Sequence, residues 1–289
     1  MPVTAPGQGQ EPKAGGLLSH CANPRCATGW MRLWRSRHAP VFEGRWACSA
    51  ECMAELVAAG VRRELDAADA GLPHRHRLPL GLLLVDQGRL TPEQLREALA
   101  GREHAAAGEP PRLGEWLVSS GLLSETVLTQ ALSAQWNCPV FSVAGCRAEP
   151  VAWVLPRLLS AALDAVPLRV AGEKLVYLAF AGRVDRSLAY ALEGMTGMRV
   201  ASGLAADSEF REAQAQYLEA EAPPVRLLEA ANAWVLARAL AGRIEEEKPV
   251  EARLRRVHGW FWLRMWRRAA AVPSCKEVED VVATLGRAQ

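Results

Sequence analysis

Residues 79–102 read PLGLLLVDQGRLTPEQLREALAGR, and residues 112–135 read RLGEWLVSSGLLSETVLTQALSAQ. Placed at a constant offset, Leu80 and Leu113, Gly81 and Gly114, Leu84 and Leu117, Val85 and Val118, Gly88 and Gly121, Leu90 and Leu123, Leu95 and Leu128, Ala98 and Ala131, and Leu99 and Leu132 coincide without a gap. An Ala- and Leu-rich chain matches leucines by chance, but paired glycines in unbroken register are hard to obtain that way, so the stretches read as two copies of one unit. Each copy is expected to form a short helix, a glycine stop and a second helix. In the second, Leu113, Trp116 and Leu117 share a face, Gly121 takes the left-handed position, and Ser124 caps the helix carrying Leu128, Ala131, Leu132 and Gln135. In the first, Thr91-Pro92-Glu93-Gln94 has the cap, first-turn proline and third-position Gln of a capping box.

Downstream the pattern alternates. Val140–Val143, Ala165–Val170, Leu175–Phe180 and Met198–Gly203 read as strands, and stretches near Arg157–Leu163, Val184–Met195 and Ser208–Leu218 as helices, with a hairpin turn at Gly172-Glu173. The expected fold class is α+β and mostly helical: tandem helical hairpins (78–138), a small α+β layer (139–220), an N-terminal zinc finger (17–66) behind a disordered leader (1–16), and a C-terminal helical, Arg/Trp-rich tail (224–289).

The tandem R-L-G-x-x-L-V-x-x-G-x-L-x-x-x-x-L-x-x-x-L-x-x-Q pattern resembles the MshEN-type N-terminal domain of type II secretion and type IV pilus assembly ATPases of the GspE and PilB kind. The likeness runs on through Trp136-Asn-Cys-Pro-Val-Phe, Leu155-Pro156, Ala165-Val-Pro167-Leu168, Met195-Thr-Gly197 and a helix closing at Tyr217, roughly Leu78 to Leu218. The resemblance implies a cyclic di-GMP site built from the leading Arg, the glycine-adjacent backbone, apolar side chains and the closing Gln of each motif. The chemistry is consistent: an Arg fork bonds phosphate, glycine admits close approach, and a Gln amide reads a base edge. Carried over, the second motif is complete, with Arg112, Leu113, Gly114, Leu117, Val118, Gly121 and Gln135. The first keeps Leu80, Gly81, Leu84 and Gly88 but has Pro79 for Arg and Arg102 for Gln, so Arg77 or Arg102 must substitute if that half is to hold phosphate. Packing alone also asks for the apolar and glycine positions. The resemblance further implies partners among secretion or pilus assembly proteins at the inner membrane.

Ahead of the repeat, Cys21-Ala-Asn-Pro-Arg-Cys26 and Cys48-Ser-Ala-Glu-Cys52 form two close pairs, the second where a helix begins. Four thiolates at this spacing can converge on one tetrahedral ion with no open position, a structural site whose knuckle, hairpin and helix resemble a treble-clef zinc finger. His20 or His38 could replace a ligand, and four free thiols in a reducing compartment are the plainer alternative.

The tail 253–268 reads RLRRVHGWFWLRMWRR. As a helix it places Leu254, Val257, Phe261 and Met265 on one face, a basic aromatic surface for an anionic membrane or a partner; Val225–Ala241 reads as another helix. Trp30-Met-Arg-Leu-Trp34-Arg echoes Trp262-Leu-Arg-Met-Trp266-Arg, and a Trp-rich packing surface between the two ends is the alternative.

The 289 residues carry a net charge of +2, too balanced for a surface devoted to nucleic acid. The longest apolar run, Val151–Ala171, is broken by Pro156, Arg157, Asp164, Pro167 and Arg169, and the first sixteen residues lack the apolar core of a secretory signal, so a cytoplasmic location is expected. Neither a P-loop nor H-E-x-x-H, G-x-S-x-G or C-x-x-C occurs. A non-enzymatic adaptor or regulatory module is therefore the expectation. A zinc-finger DNA-binding regulator is the alternative, disfavoured by the lack of a basic helix in either hairpin.

Overall fold

The computed structural model describes residues 21–26, 39–69, 77–104, 110–172, 174–268 and 277–286. The leader, His20, His38 and the Trp30–Arg35 echo lie outside them.

The repeat folds as two copies of one unit. Helices α2 (Leu80–Asp86) and α3 (Pro92–His104) form the first hairpin, α4 (Leu113–Ser119) and α5 (Glu125–Trp136) the second, and α2 packs on α5 as α3 does on α4. Their shared core consists of Leu84, Leu90 and Ala98 with the equivalent Leu117, Leu123 and Ala131. Gly88 and Gly121 hold φ of 65° and 73°, the left-handed conformation that stops the first helix of each copy. Gln94 N–H donates to Thr91 Oγ1 while Thr91 N–H donates to Gln94 Oε1, a closed capping box, and Val127 N–H donates to Ser124 Oγ.

The α+β layer follows with α6 (Arg157–Ala162), β3 (Ala165–Ala171), β4 (Leu175–Ala181), α7 (Arg186–Thr196), β5 (Arg199–Ala205) and α8 (Asp207–Glu219). Strand β3 pairs antiparallel with β4, which pairs parallel with β5. The strand expected at Val140–Val143 reduces to one bridge, Val140 to Leu204.

The tail departs from expectation. Val225–Ala230 is a strand, β6, before a helix α9 (Ala233–Glu247), and the stretch expected as an amphipathic helix is a hairpin of β7 (Glu251–Val257) and β8 (Trp260–Trp266), followed by β9 (Val278–Leu285). Val257 pairs with Trp260 across the two-residue turn His258-Gly259, with His258 at φ 52°. Among the described residues the tail is therefore not helical beyond α9, and the basic aromatic face expected to meet a membrane does not form: Trp262, Arg264 and Trp266 are buried.

This sheet joins the two ends of the chain. β1 (Val41–Phe42) and β2 (Arg45–Trp46), from the cysteine segment, extend it in the order β2-β1-β7-β8-β9-β6. Helix α1 (Ala50–Asp69) packs beside α9 on one face, over Phe42, Leu254, Phe261, Leu263 and Met265. The opposite face presents Val257, Trp262, Trp266 and Val282 to the core of the middle domain. Both faces being covered, β8 is apolar at almost every position, which hides the period-two signal of a half-exposed strand.

Arg264 is the exception. It is 0% exposed and its cross-strand partner Asp280 1%. Arg264 Nε and NH2 donate to the two Asp280 oxygens at 2.8 and 2.7 Å, Trp262 Nε1 donates to Asp280 Oδ1 at 2.7 Å, and Arg264 NH1 donates to Val154 O of the middle domain at 3.2 Å. Asp280→Ala leaves the guanidinium buried and unpaired and is expected to cost about 3–5 kcal/mol in denaturant unfolding.

Glu279, next to it, faces α9. Burial favours its neutral form, but the guanidiniums of Arg243, Arg226 and Arg267 prevail and hold the carboxyl below its ordinary value of 4.5. Because the folded pKa is depressed, the stabilisation is present above about pH 4.5 and fades as pH falls through the folded value. Glu279→Gln should accordingly destabilise the protein near neutrality, and the gap from wild type should shrink in melts taken at progressively lower pH.

Candidate functional site

The first knuckle is a turn set by its own residues. Pro24 sits in the second position, Cys26 N–H donates to Asn23 O at 3.0 Å, and Arg25 N–H donates to the Asn23 side-chain oxygen at 3.0 Å. Ala22 N–H donates to Trp46 O, tying the knuckle to β2. The second pair straddles the start of α1, where Cys52 N–H donates to Ser49 Oγ.

The sulfurs of Cys21, Cys26, Cys48 and Cys52 all lie within 4.8 Å of one another, with Cys26 to Cys48 at 3.4 Å and Cys48 to Cys52 at 3.7 Å. Four sulfurs at about 2.3 Å from a tetrahedral zinc ion stand about 3.8 Å apart, so the cluster fits zinc. Two donors already point at sulfur: Cys48 N–H reaches Cys21 Sγ at 3.4 Å and Asn23 Nδ2 reaches Cys52 Sγ at 3.3 Å. Burial, followed by contact with the other thiols, pushes Cys48 up to about 12, and burial raises Cys21. Thiols held protonated in this way become ligands when a cation displaces their protons.

In the repeat, Gly81 and Gly114 lie inside α2 and α4. A Cβ on Gly81 would stand 2.8 Å from Leu95 Cδ1, and one on Gly114 would stand 3.0 Å from Leu128 Cδ1. Leu95 and Leu128 are themselves equivalent, so the same close helix approach is built twice. Leu84 and Leu117 are fully buried, Leu80, Leu113 and Val118 partly so, and Gly88 and Gly121 stand exposed at the helix ends. Arg112 is exposed in the position just before α4. Gln135 Nε2 donates to Leu78 O at 2.6 Å, so the end of the second motif meets the start of the first. Beside it, the Arg77 guanidinium lies 3.3 Å from the Trp136 ring centroid. Arg102 is half-buried, its Nε without a hydrogen bond. The interleaving of α2 with α5 and α3 with α4 thus brings the two motifs together on one body.

Sequence reading missed a cleft of about 940 Å³ between loop 140–153 and strands β3 and β4, lined by Phe141, Cys146, Arg147, Trp153, Arg169 and Tyr177. No local motif announces it, because its walls are a loop and two strands, between residues 140 and 177, that meet only in the folded layer. None of the nucleotide-motif residues lines it. Cys138, half-buried, is raised by burial.

No protein-family model matches the chain. Together with the in-register motifs, the sequence relation below supports an MshEN-type domain, of the kind found at the N-terminus of GspE- and PilB-type assembly ATPases, in the middle of this chain. Over 148 residues, half of its length, the chain is 27% identical to the type IV pilus assembly ATPase PilB of Myxococcus xanthus (strain DK1622), and the match spans a quarter of that protein. Among solved structures, MshE with cdg (cyclic di-GMP) is similar at 26% identity and a TM-score of 0.40, over 49% of this chain and 99% of that one. The N-terminal domain of XpsE gives 16% identity and a TM-score of 0.35, over 48% and 92%. No helix among the described residues is long and apolar enough to cross a membrane.

The paired architecture predicts paired effects. Gly88→Ala and Gly121→Ala each force a side chain into the left-handed region with open space around it, and each should cost about 1–2 kcal/mol in chemical unfolding. Strongly unequal losses would contradict the equivalence of the two copies.

Proposed function

We propose that this protein is a non-enzymatic regulatory or adaptor module of a type II secretion or type IV pilus-like system, working in the cytoplasm beside the inner membrane. It holds a structural zinc ion through Cys21, Cys26, Cys48 and Cys52 and takes cyclic di-GMP on its tandem motifs. The observation that carries the reading is the in-register pair of motifs on one interleaved body, with Arg112 exposed at the head of the complete copy.

In the ligand reading, Arg112 makes the phosphate contact, Leu113, Gly114, Val118 and Gly121 form the surface beside it, backed by the buried Leu117, and Gln135 meets a base edge. The first copy contributes Leu80, Gly81, Leu84 and Gly88. Its Pro79 offers no donor, so Arg102 and Arg77 supply the charge on that side. Zinc closes the cysteine knuckle against α1 and takes no part in ligand chemistry. The DNA-binding alternative loses its Arg-Trp patch, because Trp262, Arg264 and Trp266 lie in the core.

Two measurements test this. In calorimetry with cyclic di-GMP, Arg112→Ala should remove a charge-assisted contact worth about 1.5–3 kcal/mol, a loss of roughly ten- to hundred-fold in affinity. Absence of heat from the wild type at high ligand concentration removes the ligand. Elemental analysis should find one zinc per chain, lost in Cys48→Ser with a lowered melting temperature; a metal-free protein indifferent to chelator removes the zinc.

A further inference from the structure

The cleft of about 940 Å³ beside β3 and β4 shares no lining residue with the tandem motifs, and its walls are fixed by the fold. Phe141 N–H donates to Leu204 O at 2.7 Å and Val143 N–H to Glu209 Oε2 at 3.3 Å, which pins the start of the loop to β5 and α8. The Phe141 ring rests on β5 where Gly203 leaves room: a Cβ there would stand 2.6 Å from Phe141 Cε2. Tyr177 meets that ring edge-on, with centroids 5.7 Å apart. On the loop side, the Trp153 indole N–H donates to Pro150 O at 3.0 Å.

A bulge sets the charge. Pro167 pairs with Leu178 but Arg169 with Tyr177, so β3 carries one extra residue. In unbroken register Leu168 would oppose Tyr177, and Arg169 would oppose Val176, which is 0% exposed and part of the core. The bulge instead holds the Arg169 guanidinium over the Tyr177 ring, 4.1 Å from its centroid. Cation–π attraction occupies the face of a guanidinium and leaves its edge N–H donors available. Arg147 lines the cleft from the loop. No hydrogen bond or ion pair engages either arginine side chain among the described residues, and no Asp or Glu is among those lining the cleft.

We propose that this cleft binds a small planar aromatic anion, its ring against Phe141, Tyr177 and Trp153 and its phosphate or carboxylate on Arg147 and Arg169. The lining selects that combination. A cation would meet two like charges and no carboxylate. A purely apolar molecule would cover two guanidiniums without pairing them, and a bare anion would leave the aromatic walls unused. The cleft is of the size, roughly 300–1,000 Å³, that small-molecule sites have.

Calorimetry on the full chain tests this with AMP and with indole-3-acetate, which join a ring to a phosphate and to a carboxylate respectively. Binding of either is expected, and the tighter of the two identifies the anion. Adenosine, which lacks the charge, and inorganic phosphate, which lacks the ring, should each bind roughly ten-fold more weakly than AMP if the phosphate is preferred; indole and acetate serve in the same way if the carboxylate is. Arg147→Gln and Arg169→Gln should each weaken the preferred ligand by roughly ten-fold or more, with an unchanged thermal melt because both side chains are exposed. No heat from either probe at millimolar concentration, a half-ligand that binds as tightly as the whole, or affinity indifferent to Arg169→Gln would each overturn the proposal. So would binding that Arg112→Ala removes and Arg169→Gln leaves intact, since that places the ligand on the tandem motifs.

Discussion

An ion pair removed from water organises this molecule. Arg264 and Asp280 face each other on central strands of the six-stranded sheet, and isolating either charge in the interior would cost several kcal/mol. Two parallel hydrogen bonds between them, one from the Trp262 indole and one to Val154 O use both carboxylate oxygens and three guanidinium nitrogens. Such a pair adds little net stability over an apolar core, but it tolerates few alternatives. Slipping β8 against β9 by one residue would send Arg264 to the helix-covered face and strand Asp280. Its remaining bond, to Val154 O, extends that specificity from the sheet to the middle domain.

The same face explains how the domains are held together. Odd-numbered residues of β7 point at the middle domain, and two of them are arginines at the end of α7: Arg253 NH1 donates to Met195 O and Arg255 NH2 to Gly194 O. Cations belong at the carbonyl end of a helix. At the other end, Asp185 caps α7 by accepting from Leu188 N–H, while His258 Nε2 lies 2.5 Å from its second oxygen. The β7–β8 hairpin thus grips α7 at both ends. Since β1 pairs with β7 and α1 packs on α9, the cysteine knuckle belongs to the same body as the C-terminal strands, although the whole middle domain separates them in sequence.

The repeat was legible because its signals are local: glycine stops, a capping box and apolar spacing all act within a few residues. The strands β3 to β5 and the cysteine cluster were legible for the same reason. The tail was not. Leu254, Val257, Phe261 and Met265 line up on a helical wheel, yet Val257 faces the middle domain while the other three face α1 and α9. Two-sided burial makes an aromatic run ambiguous, and the residues that resolve it are distant: Arg264 answers to Asp280, sixteen positions on, and β7 to a hairpin more than two hundred positions back. The usable local sign was His258-Gly259, a two-residue turn between apolar runs.

Packing and ligand chemistry make different demands on the tandem motifs, and the residues divide accordingly. Gly81 and Gly114 are accounted for by Leu95 and Leu128 pressing against them, Leu84 and Leu117 by the shared core, and Gly88 and Gly121 by their backbone conformation. None of these needs a ligand. Gln135 is engaged with Leu78 O, a bond it must surrender or share to meet a base. Arg112 is different: it is exposed, and no ion pair or hydrogen bond engages its side chain among the described residues. A ligand reading of these motifs therefore depends on that guanidinium. Pro79 offers no such group, so on the proposed reading the first copy depends on Arg77 or Arg102 for its charge, whereas the second carries its own in Arg112.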